Sequence, residues 1–169
     1  MSFKINMKAH FICIVISIIL AIITYPLIDS VVANFIELGL IFPATNNILL
    51  DFYINIIILM IPITLVHESI HAIVYKIFGG EIKIGFKGVF AYTMEVSSLK
   101  ILRVQFLLVL LAPITIVSII SLLLPAWLGG ISFTINLLGS SGDIFMALYL
   151  SKVNFNSKII DRIYGFDIV

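Results

Sequence analysis

Four long apolar segments alternate with shorter polar ones along the chain. They cover residues 11–28, 52–75, 101–127 and 131–150. Each segment comes close to or exceeds the roughly 20 residues that a helix needs to cross a bilayer core. The pattern therefore predicts an all-α polytopic membrane protein with about four transmembrane helices. We expect residues 1–169 to form a single membrane-embedded domain.

The connection between the second and third segments has a different periodicity. Apolar residues at positions 82, 84 and 86 alternate with lysine and glycine, and the β-prone run VFAYTMEV follows Gly88. Alternation with a period of two is typical of a strand. We therefore predict a small cytoplasmic, membrane-associated β-hairpin at about residues 81–97. The alternative is an amphipathic loop lying on the lipid headgroups.

Composition agrees with a membrane location. Apolar residues make up 62% of the chain and charged residues only 11%, with a mean hydropathy of +1.23. A formal net charge of +1 gives no reason to expect nucleic acid as a partner. The single cysteine, Cys13, lies in the first apolar segment, which excludes an internal disulfide and a cysteine-based metal site.

Positive charge is distributed unevenly among the connections. Residues 29–51 and the LGG turn after Trp127 contain no lysine or arginine, and all ten basic residues lie in or beside the other connections. The positive-inside rule then places both termini and residues 76–100 in the cytoplasm of a multi-pass cell-membrane protein. The N-terminus resembles a signal peptide, but its apolar run continues to Ile28, which favours an uncleaved anchor.

The second apolar segment contains an H-E-x-x-H motif, in the stretch TLVHESIHAIVYKIFGG. On a helix, His67 and His71 stand one turn apart on the same face and can bind one zinc ion. Glu68 is rotated by about 100° from His67, so it reaches a water on the metal without being a ligand. Zinc lowers the pKa of that water to about 7, and Glu68 is the candidate general base.

Two histidines leave the zinc site short of one protein ligand. Asp143 is favoured because it lies inside the fourth segment, where an unpaired carboxylate is costly. His67 precedes Lys76 by nine residues and Asp143 precedes Lys152 by nine, so both lie roughly 13 Å from the cytoplasmic boundary. The other candidates are His10, Glu81, Glu95, Asp161 and Asp167.

Three further positions in the spans attract attention. Asn136 is a candidate substrate-binding residue, and its alternative role is a hydrogen bond between helices. Pro62 and Pro113 each fall within an apolar segment, where we expect proline to kink or loosen a helix near the site.

The intramembrane HESIH, the hairpin loop and the later NLLGSSGD together resemble the site-2 protease class of intramembrane metalloproteases. More closely, HESIHAIVYKIFGGEIKIGFKG with LLGSSGDIFMALYL is similar to the small bacterial putative zincin peptidase family, over most of residues 60–150. The resemblance implies His67, His71 and Asp143 as zinc ligands and Glu68 as the catalytic residue. The chain departs from the site-2 protease pattern at Gly139, where that pattern has proline, and at Ile144, where it has glycine.

These observations predict a zinc-dependent endopeptidase, with one zinc ion per chain, that cleaves membrane-anchored protein near the cytoplasmic face. A non-catalytic membrane protein that binds zinc or helices is the alternative. Glu68 discriminates between them, because a pure binding site does not need a carboxylate beside its first histidine. Hydrolysis of a small amide or a lipid-linked substrate is a third possibility.

Overall fold

The computed structural model of the chain describes residues 2–38, 45–87 and 90–169. Most of these residues are helical. The helices are α1 (Met7–Ile23), α2 (Tyr25–Leu38), α3 (Ile48–Ile77), α4 (Arg103–Ser121), α5 (Ala126–Gly139) and α6 (Ser141–Leu150). The strands are β1 (Ser2–Lys4), β2 (Ile82–Lys87), β3 (Phe90–Glu95), β4 (Ile101–Leu102), β5 (Lys158–Arg162) and β6 (Gly165–Ile168).

Helix α3 carries the second predicted span and extends beyond it at both ends. The Asn47 side chain caps the helix by accepting hydrogen bonds from the backbone N–H groups of Leu49 and Leu50. Gly79, with a φ of +86°, follows the last turn and permits the change of direction there. The helix is long and apolar enough to cross a membrane, and α4 is too. If each bent helix pair described below is one span, the candidates number up to four in the described residues.

The first predicted span, residues 11–28, is not one straight helix. α1 and α2 meet at Thr24 with a bend of 69°. Pro26 has no N–H to donate to the carbonyl of Ile22, and the Thr24 hydroxyl donates to the carbonyl of Leu20 at 2.7 Å. The helical bond from residue 26 to Ile22 is therefore absent, and the predicted span corresponds to most of α1 and the start of α2. Part of the predicted connection at residues 29–51 belongs to α2 and α3, and its residues 39–44 lie outside the described residues.

The third and fourth predicted spans differ from the observed helices in their bounds. The third is bounded by β4 and by the end of α4 at Ser121, and Trp127 belongs to α5, which follows Pro125. The fourth is divided into α5 and α6 by a bend of 49° at Ser140. The fully buried Ser140 hydroxyl donates to the carbonyl of Asn136 at 2.7 Å, and the Ser140 backbone N–H donates to the same carbonyl at 2.9 Å. The break places Asp143 in the first turn of α6, where the helix dipole favours a carboxylate.

The predicted hairpin is confirmed as the antiparallel pair β2–β3. Its register runs from Ile82 opposite Glu95 to Lys87 opposite Phe90. Residues 88 and 89, which join the strands, lie outside the described residues. The hydroxyl of Thr93 donates to the backbone carbonyl of Glu68 at 2.8 Å, so the hairpin is tied to α3 at the H-E-x-x-H motif.

A second sheet joins the two ends of the chain, in the order β1-β6-β5-β4. No periodicity in the sequence predicts this sheet. Phe3, Ile159 and Phe166 are buried between this sheet and the helices, in a core that also contains Phe106 of α4 and Leu150 of α6. Burial of these large side chains ties the sheet to the helices that carry the candidate site.

Candidate metal centre

The two histidines of the H-E-x-x-H motif lie side by side on α3. Their Nε2 atoms are 3.1 Å apart, and both side chains are about nine-tenths buried. The spacing of four residues places the rings on one face of the helix, as the sequence predicts. Two imidazole nitrogens are thus directed at one point.

Asp143 completes a group of three at the same point. Its Oδ2 atom lies 3.2 Å from Nε2 of His67 and 3.6 Å from Nε2 of His71. Within the described ranges, these residues form the one group of three or more histidines, cysteines and carboxylates that could hold a metal ion. Their ligand atoms lie within 4.8 Å of one another. Two nitrogens and one carboxylate oxygen are a donor set that suits zinc and leaves a fourth position for water or substrate. The residues therefore fit the metal.

The outer nitrogen of each histidine has its own partner. Nδ1 of His67 is 2.9 Å from Oδ1 of Asn136, and Nδ1 of His71 is 2.8 Å from the backbone carbonyl oxygen of Val109. A carbonyl oxygen only accepts hydrogen bonds, so Nδ1 of His71 donates to Val109 and Nε2 is the nitrogen that faces the metal position. The Nδ2 group of Asn136 faces the carbonyl of Pro113 at 3.4 Å, which turns Oδ1 of Asn136 towards His67.

Asn136 therefore has partners other than a substrate in this structure. It is 97% buried, and both polar atoms of its amide contact the protein. The bond to His67 is a contact between α5 and α3, the second of the two roles that the sequence left open. Asn136 also lines a cavity of about 470 Å³ together with His67 and Glu68.

Glu68 lies between two cavities and outside the group of three. One is the 470 Å³ cavity, which extends between α3 and α5. The other is smaller, about 160 Å³, and is lined by His71 and Asp143 as well as by Tyr92 and Thr93 of the hairpin. A half-buried carboxylate at both cavities is placed to meet water or substrate beside the histidines.

The hairpin carboxylate Glu95, a candidate third ligand in the sequence, has a different role here. It is buried and accepts hydrogen bonds from the backbone N–H groups of Glu81, Ser97 and Leu99 and from the Ser97 hydroxyl. Burial alone would raise the pKa of Glu95, but these hydrogen bonds outweigh it and lower the pKa. Glu95 thus stabilises the base of the hairpin as a carboxylate.

The remaining candidate ligands also lie outside the group of three. Asp161 accepts a hydrogen bond from the Tyr75 hydroxyl at 2.9 Å, and burial raises the pKa of Asp161 to about 6. Asp167 pairs with Arg162 at 3.0 Å. His10 lines a separate cavity between α1 and α5. Glu81 is exposed at the start of the hairpin and bonds to Glu95 through its backbone.

Pro62 and Pro113 do not interrupt their helices. α3 continues through Pro62 and α4 through Pro113. The expectation that each proline kinks or loosens its helix stays a prediction, since helix bounds do not measure a kink. The Val109 carbonyl, which is the partner of His71, was not predicted either. Every residue has a backbone carbonyl, so the sequence does not show which one accepts a hydrogen bond from a side chain.

Comparison with known families adds one match. The model of a family described as "Putative zincin peptidase" matches residues 57–158, which is more than half of the chain. No curated protein and no solved structure matches the chain. The matched region contains the H-E-x-x-H motif on α3, the hairpin, α4 and Asp143 on α6. The chain therefore belongs to the putative zincin peptidase family, a family of zinc metallopeptidases by its description.

Proposed function

We propose that the protein is a zinc-dependent intramembrane endopeptidase, similar in type to the site-2 proteases, that cleaves membrane-anchored protein near the cytoplasmic face. One observation carries the proposal. His67, His71 and Asp143 direct their ligand atoms at one point, and Glu68 stands beside that point at two cavities. The family match and the candidate membrane spans support it.

His67, His71 and Asp143 hold one zinc ion per chain in this proposal. When bound, zinc supplies a Lewis acid that lowers the pKa of a water to about 7 and polarises a peptide carbonyl. Glu68 takes the proton of the attacking water as the new C–O bond forms. Glu68 then gives that proton to the leaving amide nitrogen as the C–N bond breaks, which balances the hydrolysis.

Asn136 and Val109 keep the two histidines in the required tautomer. Each accepts a hydrogen bond from Nδ1, so that the Nε2 lone pairs face the metal position. Asn136 is thus assigned here as a positioning residue for His67. A substrate contact by Asn136 stays a prediction from the sequence.

A substrate helix must be unwound before its backbone carbonyl is open to attack, and β2 offers an edge that can hold the unwound segment. The N–H of Val96 donates to the carbonyl of Glu81 at 2.8 Å, so these two residues are a hydrogen-bonded pair. Opposed pairs in an antiparallel ladder alternate, which makes Ile84 and Thr93 a non-hydrogen-bonded pair. The N–H of Ile84 therefore points to the outer edge of β2, where no strand pairs with it among the described residues.

This edge lies at the level of the proposed general base. Ile84 is directly opposite Thr93, whose hydroxyl binds the backbone carbonyl of Glu68. A substrate strand added to β2 would be held by main-chain bonds and would place few demands on its sequence.

Replacing Ile84 with proline tests the edge. Ile84→Pro removes one outward N–H without removing a bond of the β2–β3 ladder, so we expect cleavage to fall about five- to tenfold, the value of about one backbone hydrogen bond. Zinc content should not change. Ile84→Ala is the matched control, because it shortens the side chain and keeps the N–H. Equal losses in both variants, or loss of zinc from Ile84→Pro, would contradict this use of the hairpin.

The positive-inside argument assigns both termini and residues 76–100 to the cytoplasm, and we keep this orientation in the proposal. It places the four-stranded sheet and the hairpin on the cytoplasmic side. The proposed products are then a soluble cytoplasmic fragment and a membrane-anchored remainder.

The function and the orientation are tested in one experiment with a tagged single-span reporter. In cells that produce the protein, we expect a soluble reporter fragment in the cytoplasm. In detergent or vesicles, a zinc chelator should stop cleavage and added zinc should restore it. A fragment released on the outer side would contradict the orientation. A zinc-loaded protein that cleaves no reporter would favour the non-catalytic zinc-binding or helix-binding alternative.

A further inference from the structure

Pro113 lies fully buried in the middle of α4, next to the proposed metal centre. In a regular helix, the N–H of residue 113 would donate to the carbonyl of Val109, four residues earlier. Proline has no N–H, so this donor is absent. The Val109 carbonyl therefore has no regular helical partner although it belongs to the interior of a continuous helix.

That same carbonyl receives the hydrogen bond from His71. The distance from Nδ1 of His71 to the oxygen of Val109 is 2.8 Å, and Val109 is 99% buried. Elsewhere in a helix interior, a side chain that donates to a backbone carbonyl must share it with the N–H four residues later. The proline at position 113 removes this competition where His71 needs an acceptor.

A second contact connects Pro113 with His67. The carbonyl of Pro113 accepts a hydrogen bond from Nδ2 of Asn136 at 3.4 Å, and Oδ1 of Asn136 is 2.9 Å from Nδ1 of His67. Position 113 thus contacts both histidines through their partners. For His71, the effect comes from the missing N–H of Pro113, which leaves the Val109 carbonyl free. For His67, it comes from the Pro113 carbonyl, which binds Asn136.

We infer that Pro113 is a positioning residue of the metal centre, which leaves the Val109 carbonyl free to hold His71 with Nδ1 protonated and Nε2 available to a metal. The inference rests on the proposed metal site but not on proteolysis. Partners that orient a ligating histidine typically contribute about 10- to 100-fold to metal affinity. The missing N–H at position 113 is expected to have an effect of this size.

The test compares two replacements of Pro113 that differ only in whether position 113 has a backbone N–H. Pro113→Ala restores the N–H, which then competes with His71 for the Val109 carbonyl. Lactic acid at position 113, introduced as a backbone ester, gives the same methyl side chain and the same loss of the proline ring, but no N–H. We expect Pro113→Ala to lower zinc affinity about 10- to 100-fold and the ester to restore most of it.

A second readout needs neither zinc nor substrate. In metal-free protein labelled with ¹⁵N-histidine, nitrogen chemical shifts distinguish the two neutral tautomers of His71. We expect one tautomer, with Nδ1 protonated, in the wild type and in the ester, and a mixture in Pro113→Ala. This result can be obtained even if the protein cleaves nothing, so failure of the proteolytic function and failure of this inference are distinguishable.

Pro62 provides the matched control. It is also a proline inside a long apolar helix, but the carbonyl four residues before it belongs to Ile58, and the two site histidines bond to Asn136 and Val109 instead. Pro62→Ala should leave zinc affinity and the His71 tautomer unchanged. The inference is overturned if Pro113→Ala keeps both at wild-type values. It is also overturned if the ester behaves like Pro113→Ala, since ring packing would then be the cause.

Discussion

Glu68→Gln is expected to keep one zinc ion per chain and to lower cleavage at least about a hundredfold, the usual contribution of a positioned general base. The amide has nearly the shape of the carboxylate but cannot take a proton from water at neutral pH. Glu68 is not one of the three residues whose ligand atoms converge. Its contact with the hairpin is made by the backbone carbonyl, which the substitution does not change.

Zinc content and reporter cleavage measured on the same preparation check this expectation. Glu81→Gln is the matched control, because it makes the same change in charge and shape at an exposed hairpin residue outside the converging group. That variant should cleave at the wild-type rate. If Glu68→Gln also cleaves at that rate, the hydrolytic mechanism fails and a zinc-binding role takes its place.

The parts of the structure that follow from local patterns were predictable. The apolar run of α3, with Asn47 before it and Gly79 after it, contains its own start and stop signals. The hairpin follows from alternation within one short segment. His67 and Asp143 were expected at the same depth because each precedes a lysine by nine residues. In the structure, Nε2 of His67 and Oδ2 of Asp143 are 3.2 Å apart, even though the chain bends between α5 and α6.

The bends were missed because the length of an apolar segment does not show whether the helix that it forms is straight. At each break a side chain bonds to its own helix, Thr24 to the carbonyl of Leu20 and Ser140 to the carbonyl of Asn136. Pro26 and the GSSG stretch at residues 139–142 were the available signals. A polar residue of this kind in an apolar segment indicates a bend when it lies next to proline or other small residues.

The four-stranded sheet was missed for a different reason. Strand β1 pairs with β6, so that residues 2–4 lie against residues 165–167 at the other end of the chain. Strands of two to five residues are too short to show a clear alternation of apolar and polar residues. Such alternation also does not indicate which other strand a strand pairs with. The packing of Phe3 on Phe166, with ring centroids 4.9 Å apart, only becomes visible when the ends of the chain are brought together.

The hydrogen-bond partners of the two histidines are the part of the site that the sequence predicts least. The acceptor for His71 is a backbone oxygen, and its only trace in the sequence is a proline four residues later in the same helix. From the sequence alone, Pro113 predicts a kinked or loosened helix, because proline inside a helix usually has that effect. In a dry helix bundle, the same missing N–H also creates a free acceptor, which a histidine on a neighbouring helix can use.

Asp143→Ala is expected to remove zinc from most of the protein. One of three protein ligands is lost, and the two remaining Nε2 atoms, 3.1 Å apart, have no counter-charge beside them. Loss of a partner one step further from the metal typically costs about 10- to 100-fold in affinity, so loss of a ligand should cost at least about a hundredfold. Asp143→Asn keeps an oxygen without the charge, so its zinc content should lie between those of alanine and the wild type.

The control for Asp143→Ala is Asp161→Asn, which alters another carboxylate at the smaller cavity, outside the group of three, and should keep zinc at the wild-type level. Metal analysis of detergent-purified protein, with circular dichroism to confirm unchanged helix content, distinguishes ligand loss from unfolding. Asp143→Ala and Glu68→Gln should then both be inactive while they differ in zinc. If Asp143→Ala keeps one zinc ion per chain and Glu68→Gln loses it, the two assignments are reversed. If both variants keep zinc, a residue other than these two is the third ligand, and the convergence of Asp143 on the histidines serves only to bind their protons.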